Sequence, residues 1–223
     1  MLYVYAVVDV PAAPLPPCAG HDGAGLLTVA GAGIAAVCSR HAEDLVLEPD
    51  EGTLWVHERV LEALLEDRAV LPARFGTTVA DEAEVRDILA RRRRSLASGL
   101  DLVRGRREIG VRILWDPPEP EVGAEGPGTG TAYLLDRVAA MEAARDRAAQ
   151  LHGVLFEQAV TARHRALVTP RLLLSGAYLV ERDAVGAFVQ AADALAAAHP
   201  EIQVVCTGPW PAHTFALEDG DDV

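Results

Sequence analysis

Lysine is missing from this chain altogether: all 20 basic residues are arginines. That excludes Schiff-base catalysis, a pyridoxal-phosphate anchor and the lysine of a Walker phosphate loop. Asparagine is missing too, so there is no N-glycosylation acceptor. A GC-rich coding sequence would produce both absences, and the chemical exclusions hold whatever the cause. Cysteine is scarce, and Cys18, Cys38 and Cys206 lie far apart with no C-x-x-C pair. Neither a zinc ribbon nor a disulfide framework is indicated, and a reducing cytoplasm fits best. Positive charge is outweighed: the formal net charge of −13 argues against nucleic acid or an anionic membrane surface as a partner. There is no run of about twenty apolar residues, so no segment is expected to span a membrane. MLYVYAVVDV has no basic n-region and reaches Asp9 too soon for a signal peptide.

What is present is a globular chain. Half of its 223 residues are hydrophobic, which excludes disorder over most of the length and allows one large domain or two modest ones. The β-branched and aromatic run at 2–8 predicts a buried first strand. A Pro/Gly-rich loop follows at 11–25, then two short apolar runs, 26–30 and 34–39, joined as a hairpin across Gly31-Ala32-Gly33. A weaker strand candidate covers 45–47. Helical periodicity covers 53–68, with Val56, Val60, Leu61, Leu64 and Leu65 on one face.

The central stretch is LPARFGTTVADEAEV, at 71–85. Its strand, 70–75, sets Arg74 beside Phe75 and turns at Gly76. A guanidinium in an apolar run needs partners, because a buried unpaired charge costs several kcal/mol. Arg74 is therefore expected to be mostly buried and paired with a carboxylate, or else to bind a partner at a sheet edge. Asp81 is placed to cap the backbone N–H of Glu84 and to start one long helix, 81–103, that stops at Gly105. Arg91-Arg92-Arg93-Arg94 cover a whole turn of it, pointing all round the axis. Arg92 should bury its stem, Asp87 should pair with Arg91, and the run reads as a solvated face.

In the second half, 109–115 is a predicted strand and the Pro/Gly/Glu-rich 117–130 an acidic loop. From 131 the apolar residues Leu134, Val138, Met141, Ala144, Ala148, Leu151, Leu155, Ala159 and Ala162 recur at spacings of three and four. That pattern predicts a coiled-coil-like helix of about ten turns, kinked at Gly153, reaching beyond its own domain to the first domain or to a partner. A strand at 171–180 with a bulge at Ser175-Gly176, a helix capped by Asp183, and a strand at 202–206 complete the unit. Trp210 sits between two prolines in a stiff turn, as a packing anchor or an exposed binding aromatic. An acidic tail occupies 218–223. The fold class is α+β with two α+β domains: 1–104, and 105–217 with 117–130 as an insertion. The second is a modified ferredoxin-like unit that lacks or alters one strand and carries a long helix; a boundary inside 117–130 is the alternative.

Catalytic signals are thin. Gly31-Ala32-Gly33-Ile34-Ala35-Ala36, with Asp50 downstream, matches G-x-G-x-x-A, but the residues after it suit a strand better than a helix. The seven histidines show no H-E-x-x-H spacing, Ser175 is outside any G-x-S-x-G elbow, and Cys206 has no indicated base. A nucleotide- or small-molecule-binding regulatory protein is the alternative class.

Four stretches together resemble one family, the accessory gas vesicle proteins GvpF and GvpL: LYVYAVVD, LPARFGTTVADEAEV, TAYLL and CTGPWPAHTF. They span almost the whole chain in the family's order. The chain departs from the family at Ala212 and His213, where proline and an aromatic are more usual, and near Val79, where a further aromatic is common. The resemblance implies a non-enzymatic, cytoplasmic, gas-vesicle-associated protein with two α+β domains and no cofactor or metal. It implies binding of the small hydrophobic shell protein, and contact with other accessory proteins, during vesicle formation. Arg74, Phe75 and Trp210, in the two most specific stretches, are the candidate hub or partner-binding residues.

Overall fold

A computed structural model describes residues 1–10, 14–42, 47–116, 129–169 and 171–216. The acidic segment at 117–128, the tail at 218–223 and most of the strand candidate at 45–47 lie outside the described residues. The chain divides into two compact units. The first is Met1–Arg107 with the segment that begins at Trp210, and the second is Glu108–Pro209. The division expected from sequence placed 210–217 with the second unit. The structure joins 210–216 to the first, because Ala212 and Phe215 are buried there and His213 Nε2 lies 3.1 Å from Glu58 Oε2.

The first unit is an antiparallel sheet with helices on both faces: Val70 of its fourth strand packs toward Val60–Leu65 and the next residue, Leu71, toward Gly99. Its strands are β1 (Leu2–Asp9), β2 (Leu26–Gly31), β3 (Ile34–Arg40), β4 (Val70–Pro72) and β5 (Thr78–Val79), in the order β2-β3-β1-β4 with β5 also on β1. β1 is central because LYVYAVV, residues 2–8, has nothing polar to lose on either face except two tyrosine hydroxyls. Between β2 and β3 the chain turns through Ala32 and Gly33, both at positive φ (54° and 81°), as a two-residue hairpin loop demands. α1 (Glu51–Leu65) starts at Asp50, whose carboxylate accepts from the Thr53 N–H at 2.8 Å, and buries Val60, Leu61, Leu64 and Leu65.

The long helix expected at 81–103 is two helices, α2 (Glu82–Arg91) and α3 (Arg93–Val103). Arg92 breaks them, with φ −96° and ψ 14°. α2 lies on β2 and β3 while α3 lies on β4 and β1. A twisted sheet cannot keep both under one straight rod. The predicted cap is present, with the Asp81 carboxylate accepting from the Ala83 and Glu84 N–H groups at 2.8 and 3.0 Å. α3 approaches β4 so closely that a Cβ at Gly99 would stand 3.0 Å from a Leu71 methyl.

The second unit runs β6 (Arg106–Trp115), α4 (Thr129–Phe156), β7 (Thr161–Thr169), β8 (Leu172–Glu181), α5 (Val185–Ala198) and β9 (Ile202–Trp210), in the sheet order β7-β8-β6-β9. This is the β-α-β-β-α-β element order of a ferredoxin-like unit, with all four strands present. The strand thought missing is β7, read from sequence as the end of the long helix. It pairs antiparallel with β8, from Thr161 opposite Leu179. α4 stops at Phe156 and runs through Gly153 without interruption. Asp183 does not cap α5; a single 3-10 turn, Arg182–Ala184, precedes it, with no side-chain cap. The core is aliphatic: Ile109, Val111 and Ile113 of β6 pack with Leu151 and Leu155 of α4, Leu173 and Val180 of β8 and Phe188 of α5.

Candidate functional site

Alternation along β1 puts Tyr3 and Tyr5 on one face, and both are fully buried. A buried phenol needs a partner for its hydroxyl. Tyr5 Oη takes the His21 backbone N–H at 2.9 Å and bonds Ser39 Oγ at 2.9 Å. Tyr3 Oη takes the Gly76 N–H at 3.0 Å and lies 2.9 Å from His57 Nδ1 on α1. If Nδ1 donated, the tyrosine proton would have no acceptor, so Tyr3 donates to a neutral imidazole. The rings of Tyr3, Tyr5, His21, His57 and Phe75 meet at centroid distances of 4.6 to 6.3 Å.

This cluster fixes the segment that sequence reading centred on. β4 ends at Pro72, and Arg74 to Thr77 form a tight turn in which the Thr77 N–H donates to the Arg74 carbonyl at 3.1 Å. Gly76, at φ 83°, stands where a type II turn requires a left-handed residue. Phe75 points inward onto Tyr3, His21 and His57, and the turn is tied to β1 by Ala73 N–H to the Tyr5 carbonyl and Val4 N–H to the Thr77 carbonyl. Arg74 is exposed, contrary to the burial expected of it. Once the strand ends at Pro72, apolar neighbours in sequence no longer bury the next residues. The tyrosine–histidine pair, not Arg74, is the buried polar hub. Tyr at alternate positions of LYVYAVVD was its one visible signal.

Trp210 ends β9 and is 37% exposed; the burial expected of an anchor falls instead on Ala212 and Phe215. Arg74, Phe75 and Trp210 therefore have three different settings: exposed, half-buried in the aromatic cluster, and exposed at a strand end.

The electrostatics favour a structural role. Burial pushes His57 down to about 4 and the Tyr3 hydroxyl up to about 12, so at neutral pH both are uncharged. His57 Nε2 and His21 Nε2 are buried without a hydrogen-bond partner among the described residues. Burial, then nearby Asp193, raises the Cys206 thiol and makes it a poor nucleophile. The Gly31–Gly33 fingerprint is the β2–β3 hairpin turn, not a strand-to-helix turn, and Asp50 is spent on the α1 cap. Among the described residues no group of three or more His, Cys, Asp or Glu side chains could hold a metal ion, and no helix is long and apolar enough to cross a membrane. Arg91, ending α2, and Arg93 and Arg94, opening α3, are exposed and Arg92 between them is half-buried; Arg91 pairs with Asp87 at 3.0 Å.

Large apolar side chains are exposed at two places that matter. Leu54 and Trp55, on the first turn of α1, are 40% and 57% exposed. On α4, Leu134, Leu135, Val138 and Met141 are all exposed, whereas Ala144, Ala148, Leu151 and Leu155 are buried against their own sheet.

The family described as gas vesicle synthesis protein GvpL/GvpF matches residues 1–217. Gas vesicle protein F2 of Halobacterium salinarum is 31% identical over 218 residues, covering 96% of this chain and 91% of that protein. The crystal structure of GvpF from Anabaena superposes with a TM-score of 0.82 over 98% of this chain and 96% of that one, at 20% identity. GvpF from Microcystis aeruginosa gives 0.77 over 97% and 99%, at 18% identity. At those identities the two structures speak for the α+β fold alone. The chain belongs to the GvpL/GvpF family of gas vesicle proteins.

Proposed function

We infer that this protein is a non-enzymatic assembly factor or minor component of gas vesicles, acting in the cytoplasm with other accessory proteins. It holds the hydrophobic shell protein by apolar contact. The observation that carries this reading is the exposed Leu54–Trp55 pair on a body of net charge −13. Solvated carboxylates keep such a body soluble, while an exposed tryptophan with an aliphatic neighbour is the side-chain type that dominates binding energy at interfaces. The tetra-arginine run offers no comparable face, because it is split between two helices, with Arg91 paired to Asp87 and Arg93 bonded to the Ala32 carbonyl.

Salt separates the two modes. Apolar association holds or strengthens as salt rises, whereas exposed charge pairing is screened within about 10 Å at 0.1 M and about 3 Å at 1 M. A tagged copy co-expressed with a shell subunit should retain it through a high-salt wash. Trp55→Asp with Leu54→Asp should release it, and Arg91→Glu with Arg94→Glu should not. Loss of the subunit at high salt, or release by the arginine reversals in a still-folded protein, would contradict the apolar mode.

A further inference from the structure

We propose that the first turns of α4 pair two copies of this chain in a parallel, in-register coiled coil. Every described side chain from Leu134 to Ala143 is exposed, on all sides of the helix. This stretch of about three turns gains nothing from its own sheet, and helices so short are marginal in water without packing. Its apolar residues are not scattered. Leu134, Val138 and Met141 recur at spacings of four and three, the d, a and d positions of a heptad. At 100° per residue this stripe lies roughly a quarter turn around the axis from the buried face of Ala144, Ala148, Leu151 and Leu155. The helix therefore has a second seam, distinct from the one that packs its own unit.

The charges beside that seam select the occupant. Arg137 precedes Val138 at position g, and Glu142 follows Met141 at position e. In a parallel pair, g of one helix faces e of the next heptad in the other, five residues on. Arg137 thus meets the partner's Glu142, and symmetry makes the pair twice. An antiparallel pair would set Arg137 near the partner's Ala144 and Leu135 near the partner's Glu142, with no ion pair. A face that carries both members of the ion pair at the right offset is complementary to itself. The quarter-turn rotation also sends the β6–β9 sheets of the two copies to opposite sides of the seam. Arg145 at the next a position closes the seam where the buried face takes over. The contact is short, in the class below about 1,200 Å² that gives transient complexes, so the dimer should grow with concentration.

Val138→Cys tests the register, because facing a positions bring two thiols within disulfide reach. Under mild oxidation the full chain carrying Val138→Cys should give at least tenfold more cross-linked dimer than Ala140→Cys, which lies off the seam; wild type, with its three native cysteines, sets the background. In sedimentation runs, Arg137→Glu should weaken dimerisation several-fold and Arg137→Glu with Glu142→Arg should restore it. All these positions are exposed, so unchanged melting temperatures are expected. Equal cross-linking at 138 and 140, or no rescue by the double reversal, overturns the proposal. So does a chain that stays monomeric alone and cross-links through Cys at 138 only to a co-expressed shell subunit, which would assign the seam to that protein.

Discussion

Each unit contains a tyrosine hydroxyl bonded to a histidine Nδ1 at 2.9 Å, Tyr3 with His57 and Tyr178 with His152. The chemistry is the same and the settings are opposite. His57 is 2% exposed, inside a cluster of five aromatic rings, and its tyrosine also holds the Gly76 N–H of the Arg74–Thr77 turn. His152 is half-buried at the margin of an aliphatic core and stacks at 3.7 Å on the exposed His164. The first pair is therefore sealed inside its unit at both ends, whereas the second joins a tyrosine buried in the core to a histidine that reaches the surface. Burial, more than the bond itself, decides what a hydrogen bond is worth here.

Acid should separate the two pairs most strongly. The unfolded chain protonates His57 near 6.5, and the folded one only near 4, because burial disfavours the cation. Glu58 and the nearby Ala73 carbonyl oppose the shift, while His213 and His21 add to it. The unfolded state thus binds more protons in this window, so stability is full above about pH 6.5 and falls as pH drops toward 4, by an amount on the order of 3 kcal/mol. A protonated ring cannot accept from Tyr3, so the loss should appear in the first unit. Denaturant titrations at pH 7 and pH 4.5 check this, and His57→Gln should flatten the dependence.

Deleting the hydroxyls comes next. Tyr3→Phe leaves His57 Nδ1 buried and unpaired and removes the acceptor of the part-buried Gly76 N–H, and should cost about 1–3 kcal/mol. Tyr178→Phe leaves only a half-buried imidazole that water can reach, and should cost under about 1 kcal/mol. Equal losses would erase the distinction. The smallest effect is expected at Arg74. Exposed at the start of its turn, it should change stability by no more than about 1 kcal/mol on replacement by alanine, the scale for an exposed pair. A larger loss in melting experiments would return Arg74 to a structural role.

Much of this was legible in the sequence. The G-A-G hairpin, the Asp81 cap, the β1 strand and most of the element order follow from local turn, cap and periodicity rules. What was not legible depended on partners distant in sequence. β7 was hidden because Ala159 and Ala162 extend the three-four spacing of α4, although 161–169 also fit an antiparallel partner for β8. Arg92 breaks its helix for the sake of a sheet twist that no local pattern records. Arg74 was misjudged because its apolar neighbours belong to a strand that ends two residues earlier. The Tyr3–His57 pair joins residues 54 apart, and neither residue announces the other.

The central structural claim is that the Tyr3–His57 bond holds the Arg74–Thr77 turn. Hydrogen exchange at the amides of 73–79, corrected for intrinsic pH dependence, tests it most directly. Wild type should protect the Gly76 amide at pH 7 and lose that protection only below about pH 4, where His57 itself becomes protonated in the folded chain. Tyr3→Phe should lack it already at pH 7, while amides 173–180 stay protected throughout. A Gly76 amide that exchanges alike in wild type and Tyr3→Phe at pH 7 would contradict the account.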